Sequence, residues 1–152
     1  MVLAHVGERV LLEGTLIYRD GQTLIEVAQG PIEKARPGQP LPKATPESLG
    51  EYTLRGTIAD SKCFFGVMNP GFSKSHRTSA MRCISGGIAP VFWVRDGQGN
   101  ARYLLLLSPT GEPVNREVLD FVSEPLEIKG EVIRYGDLLA LRADPGGFRR
   151  LE

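Results

Sequence analysis

The stretch "EYTLRGTIADSKCFFGVMNPGFSKSHRTSAMRCISGGIAPVFWVRD", residues 51–96, sets the fold. Both of its ends read as β-strands, 51–60 and 88–96, rich in β-branched and aromatic residues. Between them lies a long excursion that holds both cysteines, His76 and a cluster of glycines. Inside the excursion, "SKSHRTSAMRCI" (73–84) has the composition of a short helix. Ser73 or Ser75 is placed to cap its start, and Gly86-Gly87 to stop it.

Downstream, "IAPVFWVRD" (88–96) and "ARYLLLLS" (101–108) form a hairpin around "DGQGN". "PVNREVLDFV" (113–122) is predicted as a second short helix, with Pro113 at its first position. Val114, Val118, Leu119 and Phe121 or Val122 would face inward. "EPLEIKGEVIRYGDLLALRAD" (124–144) is a last hairpin that turns at Tyr135-Gly136-Asp137. From residue 51 the order is therefore strand, helical excursion, strand, strand, helix, strand, strand. Five strands with a helix between the third and fourth is the OB-fold arrangement. The predicted class is mainly β: a small OB-fold-like barrel with a helix-containing insertion between its first two strands.

Upstream, "RVLLEGTLIYRDGQTLIEVAQ" (9–29) reads as a β-hairpin turning at Asp20-Gly21. "GPIEKARPGQPLPKATPESLG" (30–50) carries five prolines and three glycines, a connection with little to bury. The expected division is an N-terminal hairpin arm, 1–50, and a barrel domain, 51–152. "LEGTLI" (12–17), "LRGTIA" (54–59) and "IKGEVI" (128–133) echo one another, each with a glycine inside an apolar strand. A glycine weakens a strand unless the backbone must bulge or bend sharply there, as closing a tight barrel requires.

The chain has 152 residues, 18 Lys plus Arg and 18 Asp plus Glu. A formal charge of zero gives no bulk attraction to nucleic acid. No apolar run approaches the ~20 residues that span a bilayer as a helix, so no membrane span is expected. There is no GxGxxG and no phosphate-loop motif, which leaves nucleotide binding without support.

The excursion also resembles the motif of an uncharacterised bacterial family. That motif runs Asp-Ser-Lys-Cys, aromatic-Gly-Val-Met-x-Pro-Gly, His-x-x-Cys-Ala-x-x-Cys and Gly-Gly-Ile. Here the matching positions are Asp60 to Cys63, Phe65 to Gly71, His76 to Cys83 and Gly86 to Ile88. Ser79 stands where the family pattern has a cysteine, which removes one member of a four-ligand site. The resemblance implies no established activity.

Helical spacing puts His76, Ser79, Ala80 and Cys83 on one face, and Cys63 arrives from a strand end. Three arrangements of Cys63, His76 and Cys83 then compete. A Cys63–Cys83 disulfide would close a loop of about 20 residues and stabilise by about 3 kcal/mol. It requires an oxidising compartment, hence an exported or membrane-associated bacterial setting. A transition-metal or redox-cofactor site (zinc, copper or iron) would use two thiolates and an imidazole, with Asp60 or Met68 as further ligands. A nucleophilic cysteine, with Cys63 preferred, would pair with His76. Plain buried thiols are the fourth outcome.

The function expected is a non-catalytic binding or accessory domain for a protein or small ligand, organised by this disulfide, metal or redox site. One alternative is a cysteine-dependent enzyme with Cys63 as its nucleophile; the other is an OB-type module for single-stranded nucleic acid or another polymer. It would stack bases on Phe64, Phe65 and Phe72 between Lys62, Lys74, Arg77 and Arg82.

Overall fold

The computed structural model describes residues 8–19, 22–36, 38, 45–68, 71 and 73–152. The expected turn at Asp20-Gly21 and the stacking candidate Phe72 lie outside the described residues. Among the described residues there are ten strands: β1 (Val10–Leu11), β2 (Gly14–Arg19), β3 (Gln22–Val27), β4 (Glu33–Lys34), β5 (Glu47–Asp60), β6 (Pro90–Arg95), β7 (Ala101–Leu107), β8 (Pro125–Tyr135), β9 (Leu138–Arg142) and β10 (Arg149–Arg150). The one α-helix among them, α1, spans Arg77–Ser85.

Five strands close on themselves. β5 pairs with β6 and β8, β6 with β7, β7 with β9, and β9 with β8. All pairs are antiparallel except β7–β9, which runs parallel with Leu105 opposite Ala140. This is a closed five-stranded barrel in the order of a small OB-like fold, with α1 carried between its first two strands. β10 adds to the outer edge of β8.

The echoed glycines are sites of close approach. A Cβ on Gly56 would stand 2.1 Å from the Trp93 carbonyl oxygen, and one on Gly130 would stand 2.4 Å from that of Arg142. Gly14 meets the Glu26 carbonyl in the same way. Pairing runs unbroken through Gly56 and Gly130, and the bulge in β5 lies instead at Ser48/Gly50. These glycines thus serve closure by letting a neighbouring strand's backbone come in where a side chain would stand.

The barrel has one plugged end and one open end. Ala80 and Ile84 of α1 pack into the core with Val114, Val118 and Val122, all buried. The 113–122 segment is not the helix expected. It is a run of turns ending in a 3-10 turn, Leu119–Phe121. Its valines still face inward, so apolar spacing fixed which side chains are buried without fixing the backbone. α1 also begins later than expected: Lys74–His76 is a 3-10 turn, and the first α-helical residue is Arg77. Neither serine caps it by side chain, because the Ser73 and Ser75 hydroxyls bond each other at 2.7 Å.

β2 and β3 form the expected hairpin, with Leu16 opposite Ile25. It lies against the excursion: Arg19 donates to the Phe64 carbonyl at 2.5 Å, and Lys62 pairs with Glu26. β5 starts at Glu47, inside the stretch assigned to the arm.

Candidate functional site

Asp60 ends β5 and is 1% exposed. Its Oδ1 accepts the backbone N–H of Cys63 at 2.7 Å, the bond by which a carboxylate caps a helical turn. The turn it opens, 61–67, becomes π-helical over Cys63–Val67 and closes with Met68 N–H on the Cys63 carbonyl. Asp-Ser-Lys-Cys is thus a cap motif that points the strand end into a helical turn. Phe64 in that turn is 2% exposed and joins Ala59, Val91, Phe65, Trp93 and Tyr103 in a satellite cluster. At Gly71 the chain folds back so tightly that a Cβ would sit 2.7 Å from the Phe64 Cα.

Cys83 is placed by the end of α1. Ile88 N–H bonds the Cys83 carbonyl and Gly87 N–H bonds that of Ile84, both at 3.0 Å, with Gly87 at φ +105°. This is a Schellman ending, as the Gly-Gly pair foretold. Asn115 reinforces it, donating from Nδ2 to the carbonyls of Ile84 and Ile88, each at 2.8 Å.

These two devices bring the Sγ atoms of Cys63 and Cys83 to 4.0 Å. Ligand atoms of Asp60, Cys63 and Cys83 all lie within 4.8 Å of one another. Cys63 is 8% exposed, whereas Cys83 is half-buried. His76 is buried at 9% exposure but stands outside this group of three. It rides the inward face of the helical segment with Ala80 and Ile84, one turn and two turns ahead. Ser79 is exposed, and Met68 is 40% exposed. The expected trio of two cysteines and a histidine is therefore replaced by two cysteines and an aspartate.

Burial, then the adjoining Asp60 carboxylate and Cys83, push the Cys63 thiol up to about 12. Lys62 is the nearest cation in sequence, but its ammonium is committed to Glu26, which holds its pKa above the usual value. Cys63 therefore keeps its proton at neutral pH and is a poor nucleophile. The preference for Cys63 as a reactive thiol reverses, and Cys83 is the accessible one.

Of the residues expected to stack nucleic acid, Phe64, Phe65, Lys62, Lys74 and Arg77 are engaged elsewhere. Phe64 is buried under the Arg19 guanidinium, and Phe65 packs edge-on to Phe64 and Tyr103. Arg77 binds Glu124 and the Asp120 carbonyl, and Lys74 faces Glu124 at 3.7 Å. Among the described residues no helix is long and apolar enough to cross a membrane.

The pair is compatible with a metal or redox site. Tetrahedral thiolates at about 2.3 Å from one ion stand about 3.8 Å apart, close to the 4.0 Å observed. A disulfide needs about 2.05 Å, a closure of about 2 Å. Compared with known proteins, the chain matches no family model, no curated protein and no solved structure.

Proposed function

We propose that this protein is a binding or accessory barrel whose Cys63 and Cys83 form a reversible dithiol–disulfide couple. The observation that carries the proposal is the 4.0 Å sulfur separation combined with unequal burial of the two thiols. The accessible Cys83 thiolate attacks a partner disulfide, forming a mixed disulfide and releasing one partner thiolate. As the Cys63 sulfur then attacks the Cys83 sulfur, its proton passes to the departing partner sulfur, so that no free Cys63 thiolate is required. The internal S–S bond forms and the second partner sulfur leaves as a thiol. Two thiols are oxidised and one partner disulfide is reduced.

A disulfide suits the surroundings better than an ion does. An ion would require both thiols to ionise beside the buried Asp60 carboxylate, and among the described residues only three protein groups converge where structural zinc takes four. Ser79 supports the same preference within the bacterial family that the motif resembles, since two cysteines are the minimum for a crosslink. An exported or membrane-associated setting belongs with this reading. A zinc, copper or iron site is the second reading, favoured by the Asp60 oxygen lying within 4.8 Å of both sulfurs.

The deciding experiment counts free thiols and bound metal in protein purified without chelator, then after oxidised and reduced glutathione. The couple predicts two free thiols after reduction, none after oxidation, and no stoichiometric metal. One equivalent of metal, lost in Cys63→Ser, would replace it with the ion.

A further inference from the structure

The two ends of the barrel are finished differently. The end at the β5–β6 connection is filled by Ala80, Ile84, Val114, Val118 and Val122. At the opposite end, Leu49, Leu54, Val94, Leu104, Val132 and Leu139 line a cleft of about 360 Å³. The opening follows from the strand pairing. β6 follows β5 only from Gly56 to Asp60, so the first half of β5 has β8 alone as its partner. Val94, Leu104 and Val132 are 7%, 3% and 6% exposed and form the floor, while Tyr52 stands at the lip, 47% exposed. A cleft of this size lies at the small end of ligand sites, which run from about 300 to 1,000 Å³.

The charges on the rim are unbalanced. Arg55, Arg95, Arg102 and Asp96 border the cleft. Arg55 is neutralised by Glu127 at 2.9 Å. The Asp96 carboxylate is taken up by the β6–β7 turn, accepting from Gln98 N–H, Asn100 N–H and the Asn100 amide, with Arg102 adding to its field. The acidic residues at the start of β5 are also matched, Glu47 by Arg134 and Glu51 by Lys129. Arg95 lies over the Trp93 ring and Arg102 donates to the Ala101 carbonyl, and among the described residues neither forms an ion pair. Arg102 is cross-strand from Val94, on the face that lines the barrel.

We infer that the open end of the barrel binds a short, single-chain carboxylate, with its hydrocarbon in the apolar floor and its anionic head at Arg102, the unpaired rim arginine on the lining face. Floor and rim are each half of such a site. The volume suits one short chain, as a free molecule rather than the acyl tails of a bilayer lipid.

The probe is sodium octanoate, titrated below its aggregation concentration into the full chain and followed by backbone amide NMR. Saturable shifts confined to 49–55, 94–104, 132 and 139 are expected. Octanol should bind about tenfold more weakly, as expected for loss of a charge-assisted contact. Arg102→Gln should weaken octanoate by a similar factor while leaving octanol unchanged. Leu139→Trp, which fills the floor, should block both, with the amide spectrum of the plugged end unaltered. If Leu139→Trp does not fold, the arginine variant alone decides. Absence of saturable shifts overturns the inference, as does equal binding of octanol and octanoate, or octanoate binding untouched by Arg102→Gln. Cosedimentation with phosphatidylglycerol vesicles without octanoate binding also overturns it, in favour of a lipid surface. None of these outcomes depends on the cysteines.

Discussion

Cys63 and Cys83 are 20 residues apart in sequence, yet their sulfurs are 4.0 Å apart. Two independent terminations produce this. An aspartate cap turns the strand end at Cys63, and a Schellman ending fixes the last turn of α1 at Cys83. Burial then makes the two thiols chemically unequal. At pH 8 iodoacetamide should label Cys83 first, with Cys63 unmodified while the fold persists. Peptide mapping by mass spectrometry checks the order. Labelling of Cys63 ahead of Cys83 would contradict the assignment of roles.

The raised Cys63 value has a consequence for stability against pH. An unfolded thiol releases its proton near 9, whereas the folded one holds it to about 12. Between those values the folded state binds more protons, so stability falls as pH rises, at up to about 1.4 kcal/mol per pH unit. Below pH 9 the contribution is fully present. Urea melts of the reduced protein from pH 7 to 11 should show this loss, and Cys63→Ser should lack it. Asp60→Asn should narrow the window without closing it, because burial, the larger cause, remains.

Much of this architecture was legible beforehand because it rests on local signals. Strand composition around 51–60, 88–96 and 124–144 gave the barrel, and Gly86-Gly87 gave the end of α1. The 113–122 segment reads as a helix because Val114, Val118 and Val122 recur at helical spacing, yet it folds as turns. A segment plugging a barrel end can bury such a set through turns as well. His76 was misplaced for a related reason. Spacing puts it on a face with Cys83, but the segment tightens to a 3-10 turn at Lys74–His76, where residues per turn differ. Asp60 carries a local signal of its own: an acidic residue three positions before Cys63 is placed to cap a helical turn, and a cap is fixed in space. Lys62–Glu26 and Asn115–Ile84 join distant segments and leave no local trace.

The strand glycines give a graded test of barrel closure. Gly56→Ala places a methyl 2.1 Å from the Trp93 oxygen and 2.9 Å from Val94 Cγ1, with β6 on one side and β8 on the other. Neither strand can withdraw without opening the barrel. Gly56→Ala and Gly130→Ala should each cost at least about 3 kcal/mol, the upper range for overpacking. Gly14→Ala makes a comparable clash with Glu26 but lies in the separate two-stranded hairpin. It should loosen the hairpin and leave the main thermal transition close to that of the parent. Circular dichroism melts and limited proteolysis between residues 8 and 36 distinguish the two classes.

Ser123 offers the opposite sign. It sits at φ +62°, the one non-glycine residue with positive φ among those described, and its buried hydroxyl has no hydrogen-bond partner. Its backbone is held there from both sides. Its N–H bonds the Ile58 carbonyl at 3.0 Å, and the following Glu124 is gripped by Arg77. A side chain in the left-handed region costs about 1–2 kcal/mol, and an unmet buried hydroxyl adds to that. Glycine removes both terms and returns only part of the gain as unfolded-state entropy. Ser123→Gly should therefore stabilise by about 1 kcal/mol, a rise in Tm of about 2–4 °C for a domain of this size. Ser123→Ala, which keeps the backbone strain, should gain less. A fall in Tm for Ser123→Gly would mean that the hydroxyl is satisfied in solution.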